Sequence, residues 1–314
     1  MEIVSVEDID RESLATKTFD LGIFFCGFED RASYLIRQKK TNLQISDHLV
    51  LDYENDPEIL SKAANKQRFK KLATSSKIDV SSKHQFESVA ELLSRKIEKI
   101  GKERVKILID YSSMRRTLYS DILCFFHFGL PDIVSANLYF SYSMGNYVGK
   151  FAPKYVFDHE TLTGLEGITS QSKEKLAVFN LGFEPISTLT MLEIIEADEV
   201  HGILASPGVT SRSAQRTRKA NSEFIEQNLT EELNYIPLRS VERYVRFCLE
   251  QYGRKIDSHD VVFVPYGPKP HVLGSVVCCF IEQTWSNIYI RGTESRRVNV
   301  TATGEVVVSK ISFR

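Results

Sequence analysis

The chain repeats itself at a fixed offset. Residues 20–36 read DLGIFFCGFEDRASYLI, and residues 175–191 read KLAVFNLGFEPISTLTM. Each has an apolar run, then Gly-Phe-Glu, then a stretch of helical character. Gly27 and Gly182, Phe28 and Phe183, and Glu29 and Glu184 all stand 155 apart. HLVLDYEND begins at His48, and GILASPGVT begins at Gly202, one residue short of the same shift. These runs end in the polar loops Asp52-Tyr53-Glu54 and Ser206-Pro207-Gly208. VKILIDYSSMRRTLYSDILCFF from Val105 and DVVFVPYGPKPHVLGSVVCCFI from Asp260 are again 155 apart. That register sets Tyr111 opposite Tyr266, and Ser112-Ser113-Met114-Arg115 opposite Gly267-Pro268-Lys269-Pro270. Self-similarity at one offset predicts a duplicated architecture. The 314 residues fit two units at roughly 100–200 residues each. The expected division is 1–155 and 173–314. The link falls within about 144–172, which has four glycines, one proline and no clear periodicity.

The local patterns define the class. LGIFF, HLVLDY, VKILID and NLYFSY are short and almost continuously apolar, as strands buried on both faces are. Helical stretches are expected at 30–39, 57–72 and 84–100, and again at 189–196, 213–228 and 240–252. In the stretch 84–100, Phe86, Val89, Leu92, Leu93 and Ile97 share one face, and Gly101 stops the helix. Strand–helix alternation predicts an α/β fold of two tandem Rossmann-like domains with mainly parallel sheets. Alternation around Thr303-Gly304 predicts an antiparallel C-terminal hairpin that finishes the second domain.

Composition narrows the function classes. Apolar residues make up 42% and charged residues 26%, and 40 basic side chains face 41 acidic ones. This balance gives no dominant electrostatic grip on nucleic acid or an anionic membrane. No apolar run approaches the roughly 18 residues of a membrane span. The acidic start MEIVSVEDIDRES is not the pattern of a secretory signal. The five cysteines, Cys26, Cys124, Cys248, Cys278 and Cys279, are scattered among apolar neighbours and form no CxxC pair. They read as reduced core residues of a cytoplasmic protein. No metal or cofactor is expected.

Every repeated loop follows a strand, and open α/β sheets bind ligands beyond the carboxyl ends of their strands. The expected ligand is an anion. Gly27, Gly182, Gly208 and Gly267 permit close backbone approach, and helix N-termini beyond them present N–H groups. Arg31, Arg115, Arg116, Arg212 and Lys269 are candidate cationic donors, with Ser112, Ser113 and Ser206 as hydroxyl contacts. Glu29 and Glu184 are candidate contacts to ribose or base, or proton acceptors. His271 is a candidate acid/base or phosphate contact. Asp110 either positions a hydroxyl or metal, or caps the following helix. The run 210–219 carries four positive charges and no acid. It is either a contact to nucleic acid or polyphosphate, or a solvated helix face. Neither a Walker A sequence nor GxGxxG is present.

VVFVPYGPKPHVLGSVV resembles the ligand loop of the CRISPR-associated Rossmann-fold sensor (CARF) domains, in which a strand leads through a glycine-rich turn into a helix. The matching residues are Gly267, Pro268, Lys269, Pro270 and His271. Pro268 and His271 stand where the family usually has Thr and Met. The first half has Ser112-Ser113-Met114-Arg115 instead. The family's other ligand loop maps to Gly27–Arg31 and to Gly182–Ser187. Two CARF-like units in one chain are similar to SAVED domains. The resemblance implies a nucleotide ligand, in this family a cyclic oligonucleotide, held between the two repeats. It also implies a sensor or regulatory role in prokaryotic antiviral defence, with an effector protein as partner. The segment FDLGIFFCGFEDRASYL is also similar to the start of TIR domains, but the Ser-x-x-Cys-x-x-Glu helix of that family is absent. Two other readings stay open: hydrolysis of the nucleotide on the same edge, and a non-catalytic scaffold.

Overall fold

The computed structural model describes residues 1–38, 43–78, 82–128, 133–147, 156–170, 172–183, 185–292 and 298–314. They form two compact units, one of residues 1–148 with 298–314, the other of 149–297. The first contains strands β1 (Ile3–Ile9), β2 (Thr18–Phe25), β3 (Gln44–Tyr53), β4 (Ser75–Ile78), β5 (Arg104–Asp110) and β6 (Ser135–Asn146). Its helices are α1 (Tyr34–Arg37), α2 (Lys62–Lys70), α3 (Ser82–Ile100) and α4 (Arg116–Phe128). The second has β7 (Val156–Thr161), β8 (Glu174–Asn180), β9 (Glu199–Ala205), β10 (Asn234–Ile236), β11 (His259–Pro265) and β12 (Ser286–Gly292). Its helices are α5 (Pro185–Ile195), α6 (Ser213–Ala220), α7 (Ser222–Gln227), α8 (Val241–Tyr252) and α9 (Lys269–Ile281). A final strand, β13 (Thr301–Phe313), belongs to the first unit.

The duplication is visible in the topology. The first sheet runs β4-β3-β2-β5-β6-β13-β1 and the second β10-β9-β8-β11-β12-β7. In each, five strands pair in parallel and one antiparallel strand lies against the fifth: β13 in the first sheet, β7 in the second. β2 matches β8, β3 matches β9 and β5 matches β11. Strand order reverses beside β2 and beside β8, so the connections diverge there. That divergence opens the crevice where α/β sheets take ligands.

Both faces of each sheet are covered, which is why the strands are apolar on both sides. On one face of the first sheet, Phe24, Val50 and Leu108 pack with Leu35 of α1 and Phe69 of α2. Alternate residues Ile23, Leu49 and Ile109 point the other way and are equally buried. On that side Tyr53 donates to Gln85 of α3 at 3.3 Å, and Gln85 donates to Asp121 of α4 at 2.5 Å. In the second sheet Phe179 and Val264 pack with Met191 of α5 and Phe224 of α7. The opposite face meets α8 and α9, where Tyr252 touches Phe263 edge-on and Phe263 meets Trp285. The α3 stripe lies as expected, with Val89, Leu93 and Ile97 buried. All five cysteines are buried thiols. Among the described residues, no helix is long and apolar enough to cross a membrane.

The antiparallel pairing expected of the C-terminus is present, but in the other unit. β13 lies between β6 and β1 of the first sheet, with a register shift between Ala302 and Val306. The expected division at 1–155 and 173–314 is therefore corrected at both ends. Residues 298–314 belong to the first unit, and β7, from the expected link, forms the edge of the second sheet. Free edges explain the exchange. β6 is twelve residues long and β13 thirteen, so each satisfies the other's backbone groups along most of its length. β12 already has β7 on its open side.

A chain ending at residue 297 would leave the β6 edge bare and β1 without its strand partner. Hydrogen exchange is expected to show loss of amide protection in β1, β5 and β6, with β8, β9 and β11 unchanged. Equal loss in both sheets would contradict this division.

Candidate functional site

The site is built from the residue that ends each first strand. In the first unit the loop after β2 carries Gly27. The Gly27 carbonyl accepts from Asn65 Nδ2 of α2 at 2.9 Å, and the Glu29 carbonyl accepts from the same nitrogen at 2.8 Å. Ser33 Oγ donates to Asn65 Oδ1 at 2.7 Å. The second unit repeats the arrangement. Asn221 Nδ2 donates to the Gly182 carbonyl at 2.8 Å, and Thr188 Oγ1 donates to Asn221 Oδ1 at 3.5 Å. Ser33 and Thr188 are 155 apart, and Asn65 and Asn221 are 156 apart. Both asparagines are buried. A hydroxyl orients the amide, and the amide holds the loop against its second helix. Sequence reading missed both asparagines. The signal was there at a one-residue slip, but a lone Asn in a polar stretch carries no chemistry of its own.

The two glycines serve loop packing. A Cβ on Gly27 would stand 2.6 Å from Ser113 Oγ, and one on Gly182 would stand 2.0 Å from the Tyr266 carbonyl oxygen. The first loop, after β2 or β8, therefore rests on the fourth loop, after β5 or β11, and at Gly182, where the close atom is backbone, only glycine allows it. The close backbone approach expected of these glycines is here an approach of one loop to another.

In the first unit the arginine of the crevice is paired internally. Arg31 is fully buried. Its Nε meets Glu29 Oε2 at 2.6 Å, its Nη1 donates to Tyr142 Oη at 2.9 Å and to the Ser143 carbonyl at 3.2 Å, and its Nη2 donates to Tyr147 Oη at 3.0 Å. These partners hold the Arg31 pKa above its ordinary value, against the opposing pull of burial. Arg31 and Glu29 thus tie the first loop to β6. Neither is the exposed donor or base expected from the sequence. The C-terminal segment adds to the tie: Arg31 N donates to the Val300 carbonyl at 3.1 Å, and Asp30 N to Asn299 Oδ1 at 2.8 Å. Asp110 holds its own loop and does not cap the following helix, α4, which begins at Arg116. Its Oδ1 accepts from Ser112 N at 3.0 Å and from Ser112 Oγ, and that Oγ accepts from Ser143 N at 2.8 Å. Ser112 is buried and ties the fourth loop to β6. Ser113 Oγ reaches the Phe25 carbonyl at 3.4 Å. Arg115 is exposed and lies over the Tyr53 ring at 4.6 Å, and Arg116 opens α4, half-buried.

One further group of this edge was not foreseen. Lys62 is completely buried. Its Nζ contacts Asp52, the Cys26 carbonyl, and Asp56 Oδ2 at 3.0 Å, and Lys77 pairs with the second oxygen of Asp52 at 2.6 Å. Burial pushes the neighbouring Cys26 thiol up to about 11, so it is not a nucleophile at neutral pH. A lysine in a run such as SKAANKQRFKK reads as solvated. Only the fold brings it under Asp52.

The second unit is organised differently. Phe183 follows Gly182, and the exposed Arg216 of α6 lies over its ring at 5.4 Å. Arg212, exposed, precedes α6, and the α6 charges Arg218 and Lys219 are also exposed, as the solvated-face reading expects. Ser206 N is bonded to Ile236 O at 2.8 Å, and the buried Gly208 has its carbonyl held by Arg239 at 3.1 Å. Gly267 stacks on Asn180, where an added Cβ would lie 3.0 Å from the Asn180 Cβ. Lys269 is the first residue of α9 and is half-buried. Asn180 ends β8, is fully buried, and accepts from Tyr244 Oη at 2.7 Å. Its Nδ2 has no hydrogen-bond partner among the described residues. Glu184 lies outside the described residues.

His271 is corrected outright. It is fully buried against Tyr244, with ring centroids 5.0 Å apart, and its Nε2 is 3.4 Å from the Pro237 carbonyl. Burial pushes its pKa down to about 4. The ring is a neutral core group, neither a phosphate contact nor a proton shuttle near neutral pH.

No protein-family model matches this sequence, and no curated protein matches it. A putative universal stress protein from Pseudomonas aeruginosa UCBPP-PA14 is similar over 88% of this chain and 95% of its own, at 11% identity and a TM-score of 0.24. A functionally unknown protein from Pseudomonas aeruginosa PAO1 gives 88% and 93%, at 12% identity and a TM-score of 0.24. Likeness at this level says nothing of function.

Asn65→Ala orphans the buried Gly27 carbonyl and the half-buried Glu29 carbonyl and is expected to cost roughly 1–3 kcal/mol in denaturant unfolding. Asn221→Ala should cost a similar amount in the second unit. A loss below about 0.5 kcal/mol in both would refute the clamp. His271 bears on pH. Its folded pKa lies below the unfolded one, so its stabilising contribution is complete above about 6.5 and falls as pH drops toward 4. Between those limits wild type should lose about 3 kcal/mol more than His271→Gln. Equal pH slopes for the two proteins would show that the ring titrates normally.

Proposed function

We propose that the chain binds a nucleotide at the carboxyl edge of the second sheet, over Gly182–Phe183, Ser206–Gly208 and Gly267–Lys269. The observation that supports this most is the contrast between the two crevices. In the first, the cation Arg31 is paired with Glu29 and bonded to β6. In the second, a buried amide donor, Asn180 Nδ2, stands without a partner among the described residues at the end of the central strand. An unsatisfied buried donor is costly, and such a cost is commonly met where a ligand supplies the acceptor. Gly267, just before α9 and Lys269, packs on Asn180, and the exposed Arg212 and Arg216 belong to the loop and helix that follow β9. Anionic oxygen is the chemistry these groups suit.

The resemblance of Gly267–His271 to the CARF loop supplies the class. On this reading the ligand is a cyclic oligonucleotide and the chain is a CARF/SAVED-like sensor or regulatory subunit. Its setting is prokaryotic antiviral defence, and the signal passes to an effector protein. Hydrolysis has less support, because Glu29 is paired, Asp110 holds its own loop and His271 is buried.

Calorimetry of the full chain against ATP, AMP, linear oligoadenylates and cyclic oligoadenylates tests this. At least one is expected to bind with one site per chain. Lys269→Ala or Arg212→Ala should weaken it about tenfold, the worth of one charge-assisted contact. Ser113→Ala in the first unit should leave it unchanged. Failure of the whole panel to bind would sink the proposal, and so would a loss caused by the first-unit variant alone.

A further inference from the structure

The opposite edge of the second sheet carries a different chemistry. β8, β9 and β11 begin there with Glu174, Glu199 and His259. Parallel register sets His259 beside Glu174, Leu176 beside Glu199 and Val178 beside His201. Glu174, Glu199, His201 and His259 therefore share the face that α8 covers. His201 is fully buried against Tyr252 of α8, with ring centroids 5.6 Å apart. Neither of its ring nitrogens has a hydrogen-bond partner among the described residues. Its Nε2 is aimed between two carboxylates, 3.4 Å from Glu199 Oε2 and 3.6 Å from Glu231 Oε1.

Those separations suit a shared metal ion. A hydrogen bond from imidazole to carboxylate is shorter, roughly 2.7–3.2 Å. A four-coordinate metal with bonds of about 2.0–2.1 Å holds its ligand atoms about 3.3–3.4 Å apart along each tetrahedral edge. One ligand atom from each of Glu199, His201 and Glu231 lies within 4.8 Å of the others, and the same holds for Glu174, Glu199 and His259. Glu199 belongs to both groups. His259 Nδ1 faces Ser258 Oγ at 2.7 Å, and its Nε2 faces Glu199 Oε1 at 3.1 Å and Glu174 Oε2 at 3.2 Å. A hydroxyl on the far nitrogen is the outer contact that orients ligating histidines. A cation already stands here: Lys255 Nζ contacts Glu199 and lies 3.8 Å from Glu231 Oε1.

We propose that Glu199, His201 and Glu231 hold one divalent transition-metal ion of the zinc class. The ion takes the place of the Lys255 ammonium, with His259 as the next donor in reach. One imidazole with two carboxylates is a donor set for such an ion, not for the all-oxygen sites of calcium or magnesium. The ligands come from β9 and from the loop between α7 and β10. A bound ion would pin that loop to the sheet, at the end away from the crevice. Its role is therefore structural or regulatory, and it stands independently of any nucleotide.

The full chain, stripped by a chelator and dialysed, is titrated with Co2+ as a spectroscopic probe and then with Zn2+ as competitor. One equivalent of Co2+ should give the intense absorption of a four-coordinate site, which Zn2+ removes. Glu231→Gln alters a residue that is 43% exposed, so the fold is kept, and it should weaken Co2+ binding at least tenfold. His201→Gln should do the same. Lys255→Met removes the competing ammonium and should tighten binding. The proposal is overturned if neither wild type nor Lys255→Met binds either ion. It is equally overturned if binding survives both Glu231→Gln and His201→Gln unchanged. Lys255 would then be the permanent occupant of an ordinary ion-pair network.

Discussion

The folding of each unit's working edge depends on one hydrogen-bonded unit: a buried asparagine that donates to the carbonyl of the glycine after the first strand. A glycine loop at a strand end has carbonyls that neither helix nor sheet can satisfy. Asn65 and Asn221 supply the missing donors, and Ser33 and Thr188 hold each amide in the orientation that does so. With the first loop anchored, the glycine rests on the fourth loop, and the two loops that bound the crevice are locked in contact. Two α/β halves that merely share apolar strands have no reason to repeat a three-residue polar device. Its recurrence is a stronger mark of duplication than the repeated Gly-Phe-Glu string.

From that common frame the units diverge by what fills the crevice. In the first, the 155-residue shift of Ile186 is Arg31, and the guanidinium is sunk among Glu29, Tyr142 and Tyr147. A buried charge is tolerable only when fully paired, and this one is. β13 completes the arrangement by bringing Asn299 and Val300 over the first loop. In the second unit Asn180 stands where the first has Phe25, so an amide replaces a ring at the end of the central strand. One crevice sinks its arginine among its own side chains, while the other ends its central strand in a buried amide nitrogen without a partner among the described residues. Carboxylates and imidazoles cluster at the amino ends of the second unit's strands, with Lys255 among them.

Much of this was legible in the chain. Mainly apolar runs of five or six residues between amphipathic stretches are strands covered on both faces, and the offset of 155 requires the same order twice. The loops carrying Gly27, Gly182 and Gly267 fall at the strand ends because glycine and polar residues interrupt those runs. What local pattern could not decide was the state of each polar side chain. Glu29 and Arg31 are two residues apart, and nothing in their spacing tells a salt bridge sunk against β6 from two solvated groups. His271 follows a proline at a helix start, and its burial depends on Tyr244, from a different helix. The edge chosen by residues 301–313 was equally hidden. Alternation shows that a strand has one buried face, whereas its partner is whichever edge lies open, and that is a property of the assembled sheet. Sequence alone thus determined the repeated α/β order and the loops that bound each crevice, because both follow from short-range periodicity. Tertiary structure alone decided which crevice is filled, which sheet takes the last strand and which histidines meet carboxylates, because those outcomes rest on contacts between residues far apart along the chain.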